Sequence, residues 1–258
     1  MSKLSKLFTL LIIVTLFSCS GDEGNNSTVI NPPANSVKKV SETKYSNGTV
    51  STISADFNYE NGILKTISDP TNRIEITYSN NRISSTIYYK NEVIQNSYSF
   101  TYNGNLLQTI LNTKNNFERT LFDYNNGILV SEKNQSLIGS TWQTGYTQNY
   151  VFANGNIIEE NSIFQNNAPY KNTYDYDTKL NPMHYMNPDV RELIGMESAD
   201  LKTLNNQTNT YKYSNASSTT PILDFTRVIT YNAQNLPISI KKYTTSNTLV
   251  SEATFEYY

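Results

Sequence analysis

The amino-acid sequence predicts an all-β protein: a large, twisted antiparallel meander of repeated β-hairpins, an open sheet or half-barrel, with one short helical insert near residues 188–204. Three observations predict it. The composition favours pleated strands and tight turns, with 20 tyrosines and only 16% charged residues. A unit recurs in which an aromatic residue closes one segment, Asn and Gly follow, and an aliphatic residue opens the next. Around each turn apolar positions alternate with polar ones, as at Phe57 and Tyr59 before a turn and Ile63 and Ile67 after it.

The chain begins with a segment that does not belong to this sheet. Lys3 and Lys6 precede an apolar run, Leu7 to Phe17, that stops abruptly at Ser18 and Cys19. The run is too short to span a membrane and has the layout of a secretory leader. Leu16, Phe17, Ser18 and Cys19 resemble the lipobox of bacterial lipoproteins, which implies cleavage after residue 18 and lipidation of Cys19, the only cysteine in the chain. An N-terminal cysteine carrying two or three acyl chains holds a protein on a membrane permanently, whereas one chain does so only marginally. With that thiol acylated, no disulfide is available. Residues 19–37 then read as a tether of Gly, Asn, Ser, Thr and Pro, and residues 38–258 as one β-repeat domain. Asp22 and Glu23 resemble the acidic export signal of surface lipoproteins in the Bacteroidetes; the outer face and the periplasmic face of the outer membrane both remain open.

The repeat units follow at Tyr45, Tyr59, Tyr78, Tyr102, Tyr124, Phe152, Tyr176 and Tyr231, each ahead of an Asn-, Gly- or Asp-containing turn. Asn-Gly supplies the positive φ values of a type I′ turn and reverses the chain. A lone hairpin cannot bury its apolar face, but hairpins side by side line their aromatic and aliphatic residues into cross-strand ladders. Tyr174, Asp175, Tyr176, Asp177, Asn181 and Pro182, with the degenerate units before them, resemble the YD repeats of RHS-type proteins and repeat-bearing Bacteroidetes lipoproteins. The resemblance implies a β-repeat fold over roughly residues 40–258; function does not travel with it.

The long gap between the last two units breaks the pattern. Asp189 is placed to cap a helix in which Val190, Leu193 and Ile194 share a face, and residues 198–204 extend the helical stretch. Strands resume at residues 210–213, 225–231, 238–243 and 252–258.

Charge and motif content exclude several function classes. A net charge of −2 without any basic block removes the main requirement for nucleic-acid binding. His184 is the only histidine, and no HExxH, His/Cys cluster or phosphate-cradling Gly loop occurs, so neither nucleophilic catalysis nor a zinc, haem or nucleotide cofactor is expected. Asp175, Asp177 and Asn181 have the start of a calcium-loop spacing but lack its Gly and closing Glu. Acids for glycoside chemistry could be drawn from Glu159, Glu160, Asp175 or Glu192, and no spacing selects a pair.

The expectation is therefore a non-enzymatic envelope lipoprotein, bound to the membrane through Cys19, that acts as a binding or scaffold module for a glycan, a peptide or another protein. Tyr88, Tyr89, Tyr98, Tyr102, Tyr146, Tyr150, Tyr174 and Tyr176, with Trp142 as an anchor, are the candidates for an exposed aromatic platform; packing in the core is the competing role. A purely structural spacer ranks second and an acid–base glycoside hydrolase third.

Overall fold

The computed structural model describes residues 32–46, 48–165, 169–195 and 202–258. The leader and Cys19 lie outside them. Sixteen strands run in chain order: β1 (Val37–Ser46), β2 (Thr49–Glu60), β3 (Ile63–Ser68), β4 (Asn72–Ser79), β5 (Arg82–Lys90), β6 (Val93–Asn103), β7 (Leu106–Asn112) and β8 (Glu118–Asn125) form the first half. The second half comprises β9 (Ile128–Ile138), β10 (Thr141–Ala153), β11 (Asn156–Phe164), β12 (Tyr170–Leu180), β13 (Asn205–Lys212), β14 (Ile222–Tyr231), β15 (Pro237–Thr244) and β16 (Leu249–Tyr257). Among the described residues one helix, α1 (Pro188–Gly195), interrupts them between β12 and β13.

The sheet is closed, which corrects the expected open sheet or half-barrel. Each strand pairs antiparallel with its chain neighbours, and β1 pairs with β16, giving a closed barrel of 16 strands. An open sheet would leave two edge strands with unpaired backbone groups, and closure removes both. The seam is well made: Val40 faces Phe255, Glu42 faces Ala253, and the chain ends are tied by Tyr258 N–H to the Ser36 carbonyl (3.0 Å) and Tyr258 Oη–H to the Phe57 carbonyl (3.1 Å).

The repeat unit is a bulged hairpin. Asn61-Gly62, Asn80-Asn81, Asn126-Gly127 and Asn154-Gly155 all have positive φ at both turn positions, as a two-residue type I′ turn requires. The register then slips by one residue beside the closing aromatic, at Tyr59, Tyr78, Tyr102, Tyr124, Phe152 and Tyr231. In three units a tyrosine of the next hairpin reaches back to this irregular stretch: Tyr102 Oη–H donates to the Ile83 carbonyl (2.8 Å), Tyr176 to Ile157 (2.5 Å) and Tyr257 to Pro237 (2.6 Å). The recurring aromatic thus packs inward and also satisfies a backbone group at the preceding bulge. Tyr45 departs from the pattern, since it lies at the opposite end of β1, across from Val50.

Residues directly paired across antiparallel strands share a face, so one buried position per strand orients the whole wall. Phe57, Ile67, Ile74, Tyr88, Phe100, Ile110, Phe122 and Tyr150 point inward and are buried. The outward positions include Ser41, Thr43, Ser54, Asp56, Asn58, Thr66, Ser97, Ser99, Asn149, Thr173 and Thr254. Charges stand on the outer wall in mid-strand as pairs, with Lys133 Nζ 2.6 Å from Asp123 and Lys241 3.7 Å from Glu252. The wall is mixed: Ile87, Leu111, Leu121, Val151 and Val228 also face outward, and Glu42, Glu132, Gln148, Arg227 and Lys242 face inward, but the outer face places paired charges in mid-strand, where a lipid-facing barrel carries an apolar band. Among the described residues no helix is long and apolar enough to cross a membrane.

Sixteen strands enclose more space than their own inward side chains fill. The segment between β12 and β13 occupies one mouth, the one ringed by the Asn-Gly turns. Met183, Met186, Val190 and Leu193 are buried in the same cluster as the wall residues Ile83, Leu107 and Leu129. The expected helix is present at 188–195, but its cap is Asn187, whose Oδ1 accepts from Asp189 N–H at 2.8 Å, followed by Pro188 in the first turn. Asp189, predicted as the cap, instead receives a two-pronged contact from Arg82 on the wall, both N···O distances being 2.7 Å. The extension at residues 198–201 lies outside the described residues, and residues 202–204 are not helical.

Candidate functional site

The strongest concentration of chemistry lies inside the barrel, beneath this stopper. β9, β10 and β11 place Glu132, Gln148 and Ser162 in one inward row, with Tyr150 paired to Glu160 one step away. Lys202, on the segment that returns from the stopper to β13, drops into this row. Its ammonium is ion-paired with Glu132 and lies 3.4 Å from Glu192 on α1 and 3.4 Å from Tyr150 Oη. The side chains of Lys202 and Glu132 are each only 1% exposed. Glu160 completes the cluster, accepting from Tyr174 Oη–H (2.8 Å) and Ser162 Oγ–H (3.2 Å).

Burial dominates the electrostatics. It presses the Lys202 ammonium well below its ordinary range. It pushes the Glu192 carboxyl up to about 7, with Asp189 adding to the rise and Arg191 opposing it. Tyr150 is raised well above its usual value by burial, and then by the charges of Glu160 and Glu192. A second, shallower anchor sits at the rim: Arg82 bridges Asp189 and the Asn105 carbonyl (2.7 Å) while its guanidinium lies 4.2 Å from the Tyr102 ring centre. Tyr102 is raised by burial and by Asp189.

These groups hold the stopper to the wall, and the arrangement does not resemble a catalytic centre. Lys202 lies between the Glu132 and Glu192 carboxylates, and both it and Glu132 are almost wholly buried. Among the described residues no three His, Cys, Asp or Glu side chains form a metal-holding group.

The predicted candidates are dispersed. Tyr88, Tyr98 and Tyr150 are buried, and Tyr102, Tyr146, Tyr174 and Tyr176 are half-buried on the inner face. Tyr89 and Trp142 stand on the outer wall, stacked by Arg73 and Arg119 at 4.1 and 4.2 Å. Of the four candidate acids, Glu160 and Glu192 both approach Tyr150, while Glu159 and Asp175 face outward toward Asn161 and toward Asn209 and Tyr211. His184 lies on the stopper against Tyr185, its pKa lowered by burial and by Arg191. Asp177 and Asn181 are used separately: Asp177 binds Asn206 and Tyr231, and Asn181 accepts from Met183 N–H. Sequence reasoning missed Lys202 and Glu132 altogether.

One part of the inner wall remains open to solvent. From β14 through β16 to β1 the inward residues Phe225, Ile229, Ile240, Phe255 and Val40 are only half-buried. At the mouth away from the stopper Tyr170, Lys212 and Ile222 are exposed, next to a row of rings in which Tyr146 and Phe164 lie 4.5 Å apart and Phe164 and Tyr170 5.7 Å.

Two solved structures share this fold. A porin-like protein from Bacteroides uniformis superposes with a TM-score of 0.58 at 10% identity, over 88% of this chain and 98% of that one. A porin-like protein from Bacteroides vulgatus gives 0.51 at 14% identity, over 86% and 98%. A chain of the TcdB2-TccC3-Cdc42 structure reaches only 0.33 over 10% of its length, too little to bear on the YD-repeat resemblance. No protein-family model and no curated protein matches the chain. At these identities the likeness is one of fold alone.

Proposed function

We propose that this chain is a non-enzymatic envelope barrel that works as a binding or scaffold module outside the bilayer, and does not act as a pore. The observation that carries the proposal is the paired charges at mid-strand on the outer wall. An outward Lys or Arg at the midplane of a transmembrane barrel costs about 2–4 kcal/mol, and here Lys133 and Lys241 with their acidic partners stand in mid-strand on the outer face. The stopper supports it too, since α1 and its flanks fill the mouth through which a solute would pass. The two related folds are named porin-like; from that name we take an envelope setting and leave the channel aside.

Attachment then falls to the lipid on Cys19 after removal of residues 1–18, and β1 begins at the stoppered mouth. The accessible inner wall and the Tyr146, Phe164 and Tyr170 rings favour a ligand with apolar faces and hydroxyl groups, a glycan or an extended peptide. The densely filled half of the interior favours the second reading, a rigid spacer in an envelope assembly.

The test pairs conductance with fractionation. Reconstituted into planar bilayers, the protein is expected to give no conductance steps, and Cys19→Ala is expected to abolish acylation and make the protein releasable from the membranes of native cells by a high-salt wash. Stable single-channel steps would overturn the proposal. Protease shaving of intact cells then separates the outer face from the periplasmic face.

A further inference from the structure

The mouth opposite the stopper carries a feature that neither the core nor the inner wall uses. The hairpin tips β5–β6, β7–β8 and β9–β10 stand side by side there and expose large apolar side chains: Val93 is 61% exposed, Phe117 58% and Ile138 59%. They form one surface. Lys114 Nζ donates to the Ile94 carbonyl (2.5 Å) and Leu137 N–H to the Phe117 carbonyl (2.8 Å), so the three tips are linked in sequence. Behind them Trp142 pairs across the strands with Leu137, and the Arg119 guanidinium lies over its ring at 4.2 Å. Arg73, Lys90, Lys114 and Arg119 stand around the apolar tips against three acids: Glu75 and Glu92 both bind Arg73, and Glu118 faces Asn112. On a chain whose net charge is −2, four cations against three acids leave this rim with an excess of one positive charge.

Apolar tips in front, an aromatic ring just behind and cations around them match the layers of a membrane interface, where acyl chains, the aromatic belt and phosphate headgroups follow in that order. We propose that these three hairpin tips are a membrane-contact surface that takes an anionic phospholipid leaflet. The contact is shallow and is confined to the rim, leaving the polar wall in water. It rests on the reading that the wall stays outside the bilayer, and it is independent of the lipid on Cys19. Charge favours this occupant over a second copy, because two such rims would repel.

Trp142 is the only tryptophan in the chain, so its fluorescence reports on this rim wherever else the protein is attached. The full-length protein is mixed with phosphatidylglycerol-containing vesicles or with phosphatidylcholine vesicles, each with and without brominated acyl chains. The expected result is a blue shift and bromine quenching of Trp142 in the anionic vesicles and little of either in the zwitterionic ones. Phe117→Asp and Ile138→Asp are expected to abolish the quenching, with unchanged thermal melts showing an intact barrel. Quenching absent from both vesicle types, or equal in both, overturns the proposal. Membrane attachment without quenching would do the same while leaving the Cys19 anchor standing, and conductance steps would instead remove the outside-the-bilayer reading on which it rests.

Discussion

Replacing Lys202 with Met should destabilise the barrel far more than an ordinary lysine substitution. Met keeps most of the buried stem and removes only the charge, leaving the Glu132 carboxylate buried without its partner. Removing one member of a buried ion pair typically costs 3–5 kcal/mol, whereas replacing both with apolar groups of similar volume is often neutral. For a domain of this size each kcal/mol lowers Tm by about 2–4 °C, so Lys202→Met should lower it by roughly 6–20 °C. The double variant Lys202→Met/Glu132→Leu should recover most of that loss. Circular-dichroism melts of wild type, both single variants and the double variant form a complete cycle. A further sign distinguishes the mechanism: with Lys202 gone, Glu132 can relieve its burial by taking up a proton, so the deficit of the single variant should shrink as pH falls. A Lys202→Met protein that melts with the wild type, or a double variant no better than the single, would refute the role assigned to this pair.

Two further outcomes follow from the same geometry. Burial holds the Glu192 carboxyl at about 7, above its ordinary 4.5, so docking of α1 is fully favoured below pH 4.5 and weakens as pH rises through 7. The loss approaches about 3 kcal/mol by pH 8 and should appear as faster amide exchange in residues 189–193, with Glu192→Gln removing the slope between pH 5 and 8. Tyr257→Phe leaves the Pro237 carbonyl without its donor and should cost about 1–2 kcal/mol in a urea melt, while Tyr45→Phe, at the opposite end of its strand and across from Val50, should cost almost nothing.

Much of the wall was legible from local sequence. Asn-Gly and Asn-Asn pairs marked turns because positive φ is a property of those residues, and alternation marked the strands because one face is buried. Closure was not legible, since the β1–β16 seam joins the two ends of the chain and no local signal announces it. Nor were the inward charges. Every bulge shifts the alternation by one residue, so the run Ser131-Glu132-Lys133 does not declare which member faces in, and Glu132 is recognisable only once its pairing with Phe122 and Gln148 is known. Lys202 was hidden for a different reason: a lysine beside a predicted helix reads as solvated surface until the segment that carries it is seen entering the barrel.

The size of the barrel and its polarity explain each other. Alternation by itself is neutral about which face points to the interior; a transmembrane barrel and a water-soluble one can carry the same period. Here the polar positions include lysines, acids and amides in mid-strand, which water accepts and hydrocarbon does not, so the apolar rows must face in. The inward rows from β2 to β8 are mostly apolar, and 16 strands enclose more space than those rows fill. Tyrosine at each hairpin supplies bulk with a hydroxyl that can reach a bulge carbonyl, and the β12–β13 segment supplies Met183, Met186, Val190 and Leu193 from above. The insert that interrupts the repeat therefore covers the apolar half of the interior, and its two anchors, Arg82–Asp189 at the rim and Lys202–Glu132 within, fix where it sits.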